Sequence, residues 1–256
     1  LMIRIIYLFV LSCMLFAQNV PLSDEERAIS IGKHLRYESE KPSRYLIYNG
    51  FVVSYDSLRK IPDYSLHLLV PDQISDFGNR AKRKNQFSMD YRLGEYSSTN
   101  ADYKGSNYDR GHLVPAGDFF WNQLLKDETF VLTNAAPQNP NLNRGLWRKI
   151  ENRIRNDVLE CECEALIVTG TTTNPDTTIT IGQVGIPASF YKIVYFPGKN
   201  TMYAYNAINE STNGNKLTDF QTTVDSIENL TGEDFFDLLI DEIENELESV
   251  IIPMNY

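Results

Sequence analysis

The residues best suited to chemistry lie together in the sequence Asp109-Arg110-Gly111-His112. An acid, a permanent cation and an imidazole fall within four residues, and the glycine permits a tight backbone path that turns the histidine into a cleft. An imidazole with a pKa of about 6.5 accepts a proton from water at neutral pH, and a guanidinium can pair with two phosphate oxygens. These residue types indicate phosphodiester cleavage. We expect them to lie in a polar loop over residues 100–116.

A second polar set lies on a predicted helix over residues 142–159. At about 100° per residue, Asn143, Glu151 and Arg155 fall at about 0°, 80° and 120° and overlap the apolar stripe of that helix. Polar groups on a buried face are costly unless they are paired or bind something, which favours a functional site over an ordinary amphipathic helix. The apolar stripe consists of Trp147, Ile150, Ile154 and Val158.

These segments resemble the DNA/RNA non-specific endonuclease family, in its endonuclease G-like branch of the ββα-metal nucleases. Three matches occur in the order of the family: Asp-Arg-Gly-His at 109–112, Asn-x-x-Pro-Gln at 134–138, and Leu-Asn-x-x-x-Trp-x-x-x-Glu at 142–151. The similarity extends from about residue 45 to about residue 232. Tyr64 stands where the family often has Trp, and the C-terminal tail is unusually acidic.

The resemblance implies a Mg²⁺-dependent endonuclease that cuts DNA and RNA through backbone contacts and leaves 5′-phosphates, with Mn²⁺ or another divalent ion able to substitute. His112 would be the general base, Asn143 the direct metal ligand, and Glu151 a catalytic group that holds the metal through water. Arg110 would act in catalysis and in phosphate binding. Arg155 and Arg83 would contact phosphate, with Arg80 as an alternative to Arg83. Asn134 would organise the site as part of the catalytic group, and Asp109 would be a supporting carboxylate.

Three rival functions stay open at this point. The first is a catalytically silent nucleic-acid-binding module, against which the joint presence of His112, Asn143 and Glu151 argues. The second is an enzyme for another phosphodiester, such as a cyclic dinucleotide. The third is a zinc hydrolase, which is weakened because His34 and His67 lie outside the matching motifs.

The sequence patterns around these residues predict an α+β fold. In this fold a mainly antiparallel central sheet is flanked by helices. Runs of branched and aromatic residues between turn formers indicate strands. The predicted strands are residues 44–56, 65–70, 164–170, 178–184, 188–196 and 201–208. The predicted helices are residues 23–35, where Ser23-Asp24-Glu25-Glu26 forms a capping box, and residues 142–159, 218–230 and 232–249. The resemblance adds a ββα-metal finger as the active site.

The length of 256 residues and an apolar content of 42% suit one domain over residues 18–256. The net charge of −10 is unexpected for a nucleic-acid enzyme, but residues 217–256 hold eleven acidic residues and no Lys or Arg. The rest of the chain carries 24 basic and 23 acidic side chains. The basic residues cluster near the motifs at 80–84 and 144–155. The acidic helical tail is either a solvated helix or a modulator of access to the cleft.

Residues 1–17 have the layout of a secretory signal peptide, with Arg4 followed by an apolar run over 5–16. That run is shorter than the roughly 20 residues that span a bilayer, so we expect export to the periplasm or medium and no stable membrane span. Cys13 offers a less favoured lipidation site. Cys161 and Cys163 form a strained local disulfide, two free thiols or, least favoured, part of a metal site. A homodimer, the preference for DNA or RNA, and the preferred strandedness are left open.

Overall fold

The computed structural model describes residues 43–75, 80–173, 179–212, 214–237 and 239–252. Within them the strands are β1 Ser43–Ile47, β2 Phe51–Asp56, β3 Ile61–Leu69, β4 Asp109–His112, β5 Ala135–Gln138, β6 Ala165–Thr172, β7 Thr180–Ile181, β8 Val184–Gly185, β9 Ser189–Phe196, β10 Thr201–Ile208 and β11 Gln221–Thr222. Seven of them form an antiparallel sheet in the order β1-β2-β3-β6-β9-β10-β11. Two small sheets pair β4 with β5 and β7 with β8.

The described helices are α1 Pro71–Ile74, α2 Asn100–Tyr103, α3 Gln123–Glu128, α4 Arg148–Cys161, α5 Val224–Thr231 and α6 Asp241–Glu248. A π-helical segment, Leu142–Trp147, runs directly into α4. Short 3-10 segments occur at Tyr91–Tyr96, Ala116–Phe119, Leu132–Asn134, Pro197–Lys199 and Leu217–Phe220.

The central sheet is buried on both faces, and strand β9 shows why. Its side chains alternate between two cores because successive residues of a strand point to opposite faces. Phe190 and Val194 pack with α4 residues such as Ile150 on one face, whereas Tyr191 and Ile193 join a second core with α5 on the other. The α4 face also receives strands β4 and β5 and carries the candidate site.

The predicted fold class is confirmed: the central sheet is antiparallel throughout its seven strands and helices flank it. The predicted strands at 164–170, 188–196 and 201–208 are confirmed with small shifts of their ends. The stretch 44–56 is two strands joined by a turn, and β3 begins at Ile61 rather than at residue 65. The signal peptide and the helix at 23–35 lie outside the described residues.

Three element predictions need correction. The strand at 178–184 is wrong as a single element, because its described part forms the two-residue strands β7 and β8. The helix at 232–249 is also wrong, because Gly232 has a φ of +70° and ends α5, and α6 covers only Asp241–Glu248. The helix at 218–230 begins later, at Val224, after a 3-10 turn and strand β11.

Cys161 and Cys163 are joined by a disulfide, which selects one of the three alternatives and removes the metal site. Both cysteines pack beside the core under α4. Among the residues that the structure covers, no helix combines the length and apolar character needed to cross a bilayer.

Candidate active site

The Asp109–His112 motif forms strand β4, not the polar loop expected from its composition. It pairs antiparallel with β5, and Gly111 lies opposite Ala136. A Cβ atom on residue 111 would lie 2.2 Å from Oε1 of the buried Gln138 side chain and 2.6 Å from its Cβ. Glycine is therefore required here for close approach of the two strands, because any side chain would force β4 and β5 apart.

The imidazole of His112 is held between two aromatic rings. Its centroid lies 4.7 Å from that of Phe87 and 4.9 Å from that of Phe130, the latter in an edge-on arrangement. The backbone that follows is fixed as well, because Leu113 N donates to Asn134 O at 3.0 Å. These contacts fix the ring before any substrate arrives.

His112 is neutral at physiological pH. Burial, and secondly the positive charge of Arg83, lower the pKa of His112 to about 3. Its Nε2 atom is buried and has no hydrogen-bond partner among the described residues. A neutral imidazole carries one nitrogen lone pair, so the side chain can accept a proton.

Asn143 lies in the π-helical segment and is oriented from β4. Its Nδ2 donates to Asp109 Oδ2 at 2.9 Å, while its backbone N donates to Asn139 O at 2.9 Å. The side-chain carbonyl Oδ1 accepts no hydrogen bond from the part of the chain that the structure describes. It is therefore available as a hard oxygen ligand. Wide helical turns of this kind occur often at functional sites.

Asp109 is fully engaged and supports Asn143 instead of binding a metal itself. Arg144 donates to it through Nε at 2.8 Å and through Nη2 at 2.6 Å. Burial opposes ionisation of Asp109, but hydrogen bonds from Arg144 and Asn143 hold its pKa below the ordinary value. The side chain is thus an ionised anchor for the amide of Asn143.

Glu151 lies on α4 and offers an unclaimed carboxylate. It accepts no hydrogen bond from the described residues, and burial raises its pKa to about 7 while Lys192 and Arg155 oppose this rise. A carboxylate in this setting can hold a metal ion directly or through water. Asn143 and Glu151 together are the oxygen donors that the described site offers to a divalent ion.

A buried ionic network lies behind Glu151, and the sequence-based reasoning missed it. Asp118 accepts a hydrogen bond from His67 Nε2 at 2.9 Å and a second one from Arg155 Nη1. Burial lowers the pKa of His67. Burial opposes ionisation of Asp118, but the charge of Arg155 and the hydrogen bond from His67 together hold the pKa of Asp118 below its ordinary value. A neutral His67 therefore donates to an ionised Asp118.

Lys192 is the second missed residue. It is 1% exposed on β9 and donates to Leu113 O at 3.2 Å and to Thr169 Oγ1 at 2.6 Å. Burial lowers the pKa of Lys192 to about 8, and the negative charge of Glu151 is the largest effect in the opposite direction. Lys192 therefore links the strand after His112 with the charge of Glu151. A single Lys in an otherwise apolar and aromatic strand was the available sequence signal.

The predicted arginines differ in their surroundings. The Arg110 guanidinium lies 5.0 Å from the centroid of Tyr103, and that of Arg83 lies 5.1 Å from the centroid of Phe130. Arg80 lies instead over Phe120 at 4.9 Å. Because Arg83 acts electrostatically on His112 and stacks on a ring that touches it, the structure favours Arg83 over Arg80 as the upstream arginine.

The side chains of Arg155 and Asn134 are both hydrogen-bonded within the protein. Arg155 is committed to Asp118 and to Asn152 Oδ1, the latter at 2.7 Å. Asn134 is fully buried, and its side chain bonds only to backbone, including Val114 N and O at 3.0 Å each. Asn134 therefore positions the chain after His112, and its placement in the catalytic group stays a prediction.

Comparison with known proteins decides the family. Residues 32–242 match the model of the DNA/RNA non-specific endonuclease family. The chain belongs to that family. A nuclease from Nostoc sp. is 31% identical over 224 residues, which cover 82% of this chain and 80% of the relative. Nuclease C1 from Cunninghamella echinulata var. echinulata is 29% identical over 211 residues, covering 76% of this chain and 83% of the relative.

The fold also matches that of a solved EndoG/EndoGI complex. The TM-score is 0.72 at 24% identity, with 84% of this chain and 93% of the other chain covered. The antiparallel sheet with its β4-β5-helix unit is thus the fold of a ββα-metal nuclease. The chain is a nucleic-acid-hydrolysing enzyme of a divalent-metal-dependent family, and the oxygen donors Asn143 and Glu151 fit such an ion.

Proposed function

We propose that this enzyme is an exported, Mg²⁺-dependent endonuclease that cuts DNA and RNA with little regard for sequence. His112 acts as general base and Asn143 as the direct metal ligand. The observation that carries the proposal is the position of Asp109 and His112 at the two ends of β4. Asp109 at its start orients the Asn143 amide, and His112 at its end is a neutral imidazole.

Mg²⁺ suits the donors that are present. The ion prefers octahedral oxygen coordination and keeps several waters, so one amide carbonyl plus a carboxylate acting through water suffice from the protein. Asn143 supplies the carbonyl and Glu151 the carboxylate. Mn²⁺ accepts the same oxygen ligands. When bound, the ion stabilises negative charge on the phosphate and on the departing 3′ oxygen.

The residues of the chain then carry the hydrolytic step. His112 removes a proton from a water molecule, the water oxygen bonds to phosphorus, and the bond from phosphorus to the 3′ oxygen breaks, with the 3′ oxygen taking up a proton from bulk water. The products carry a 5′-phosphate and a 3′-hydroxyl. Because water is the nucleophile, the 2′-hydroxyl of RNA is not needed and both DNA and RNA are substrates.

Positive charge around His112 positions the backbone of the substrate. Arg83 and Arg110 are each stacked on an aromatic ring, and Arg155 contributes its charge beside Glu151. Guanidinium groups recognise phosphate oxygens without reading bases, which explains activity on both nucleic acids. The chain from residue 217 onward carries no Lys or Arg, so it adds nothing to this attraction.

Export rests on the sequence alone, through Arg4 and the apolar run over residues 5–16. Expression of the full chain in a bacterium, followed by N-terminal sequencing of the protein from periplasm and medium, tests it. Cleavage near Ala17 supports export. Uncleaved protein retained inside the cell contradicts it.

The nuclease assignment is tested with supercoiled plasmid and total RNA, in Mg²⁺ and in EDTA. Wild type should degrade both substrates only with the metal, leaving 5′-phosphate ends. Asn143→Ala should lose cleavage at limiting Mg²⁺, whereas Asn156→Ala, an exposed position on α4, should not. A folded wild type that retards nucleic acid in gels without cutting it supports a binding module, and one that cuts only cyclic dinucleotides supports the small-substrate enzyme.

A further inference from the structure

The acidic C-terminal helices pack on the sheet face opposite the candidate active site. Strand β10 places Ala204 in a core with Val224 and Ile227 of α5, and its neighbour Tyr205 in the core with α4. Successive strand residues face opposite sides, so α4 and α5 lie on different faces. Any site between α5 and α6 is therefore separate from His112 and Asn143.

Three carboxylates converge where α5 meets α6. Asp225 and Glu228 are one turn apart on α5, and Glu248 is the last residue of α6. One oxygen of each lies within 4.8 Å of the corresponding oxygens of the other two. Glu228 uses Oε1 to accept from Phe235 N at 2.8 Å, which leaves its second oxygen free for another partner.

Glu248 is unusual because it is buried without a partner. The residue is only 5% exposed, and its Oε1 is fully buried with no hydrogen bond from the described residues. A buried carboxylate normally pairs with a cation, binds a metal or gives up its charge. The burial of Glu248 is independent of the convergence of the three acids and points to a partner that the described residues do not supply.

Burial raises the pKa of Glu248 to about 8, and the largest effects of neighbouring charges act in the same direction. These effects come from four acidic residues, Glu228, Glu244, Asp225 and Asp234. Glu244, one turn earlier on α6, has a raised pKa of about 7 from burial and other acids. Without a cation beside them, these acids therefore favour the protonated form of Glu248.

We propose that Asp225, Glu228 and Glu248 bind one calcium ion, which joins α6 to α5. Three carboxylates without nitrogen or sulfur donors suit a hard cation. Ca²⁺ binds oxygens at about 2.3–2.6 Å in flexible geometry, so oxygens on one ion can lie up to about 5 Å apart. The oxygens lie within 4.8 Å of one another, which meets that limit, and Ca²⁺ accepts irregular geometry from three separate side chains whereas Mg²⁺ demands a strict octahedron. The ion offsets negative charge where the two helices meet and anchors α6 to α5.

Calcium titration of the full chain carrying Asn143→Ala, which removes the proposed active-site ligand, tests the proposal without reference to nuclease activity. Isothermal calorimetry should show one Ca²⁺ bound with a dissociation constant of about 1 mM or tighter. At about 10 mM CaCl₂, such an affinity raises the folded-to-unfolded ratio about tenfold or more, seen as a higher melting temperature than in EDTA. The same concentration of MgCl₂ should give a smaller rise.

Glu248→Gln and, separately, Asp225→Asn should lose both the binding heat and the calcium-dependent rise in melting temperature. Glu246→Gln, at an exposed position on the same helix, should keep both. Equal responses to Ca²⁺ and Mg²⁺, or full calcium binding by both site variants, would overturn the proposal. So would a Ca²⁺-insensitive parent that Glu248→Gln stabilises in EDTA, because the carboxyl would then be held in its protonated form.

Discussion

Asp109 and Asn143 are joined by a 2.9 Å hydrogen bond from the Asn143 amide, and this contact ties the helix to the strand that ends at His112. The two proposed functions of the site, metal binding by Asn143 and proton transfer by His112, are therefore both positioned by a single four-residue strand. The ionised Asp109 fixes the orientation of the Asn143 amide. In the proposed function, Asp109 thus sets the geometry of the metal ligand without binding the metal.

Asp109→Ala should weaken metal binding more than it destabilises the fold. Loss of a group that orients a metal ligand typically lowers affinity about 10–100-fold, so the Mg²⁺ concentration for half-maximal cleavage should rise by about that factor. Cleavage rates measured over a Mg²⁺ series test this. Glu160→Gln, an exposed acid on α4, serves as control. An unchanged Mg²⁺ requirement in Asp109→Ala would remove Asp109 from this role.

Arg83 should set the acid limit of activity. Its charge helps to lower the pKa of His112, so Arg83→Gln should raise that pKa and move the acid limb of kcat/KM to higher pH, since the free enzyme sets this profile. Arg80→Gln should leave the limb in place. Cleavage of a labelled duplex from about pH 2.5 to 8, a range that includes the wild-type limb, gives the comparison. A shift in the Arg80 variant alone would reverse the assignment of the upstream arginine.

Loss of the Asp118 charge should destabilise the fold behind the site. Asp118→Asn leaves the largely buried Arg155 without its anionic partner, and breaking a buried pair in this way costs about 3–5 kcal/mol of unfolding free energy. Urea unfolding at neutral pH measures this loss. The exposed substitution Glu95→Gln should change the unfolding free energy little. A cost within that of the control would show that the network contributes nothing measurable.

Gly111→Ala should displace the motif strand, because its Cβ would meet the Gln138 side chain. A shift of about 1 Å in a catalytic group can cost about 100-fold in rate, so cleavage should fall by at least that order. The double variant Gly111→Ala with Gln138→Gly removes the obstructing side chain and should recover part of the rate. Wild-type activity of the single variant would show that β4 and β5 tolerate separation.

The sequence allowed the main sheet to be predicted because strands such as β9 and β10 combine branched and aromatic residues with clear turn formers at their ends. Strand β4 was mistaken for a loop because Asp, Arg, Gly and His have no strand pattern of their own. Its conformation comes from pairing with β5, more than twenty residues away. The local amino-acid composition therefore does not predict this strand.

The site was predictable where motifs bring residues close in sequence, as for Asp109 and His112. The network of His67, Asp118 and Lys192 was not, because these residues come from a strand, a 3-10 turn and another strand far apart along the chain. The outcome for the helix at 142–159 was intermediate. Its presence was right, but its π-helical start alters the angular positions calculated for an ideal α-helix.

Single-turnover cleavage of a short DNA duplex by wild type and His112→Ala, with duplex affinity measured in EDTA, tests the central claim most directly. If His112 removes the proton from the attacking water, the variant should lose about 10²–10⁴-fold in rate while binding the duplex as wild type does. A His112→Ala enzyme that folds normally and cleaves at the wild-type rate would contradict the account.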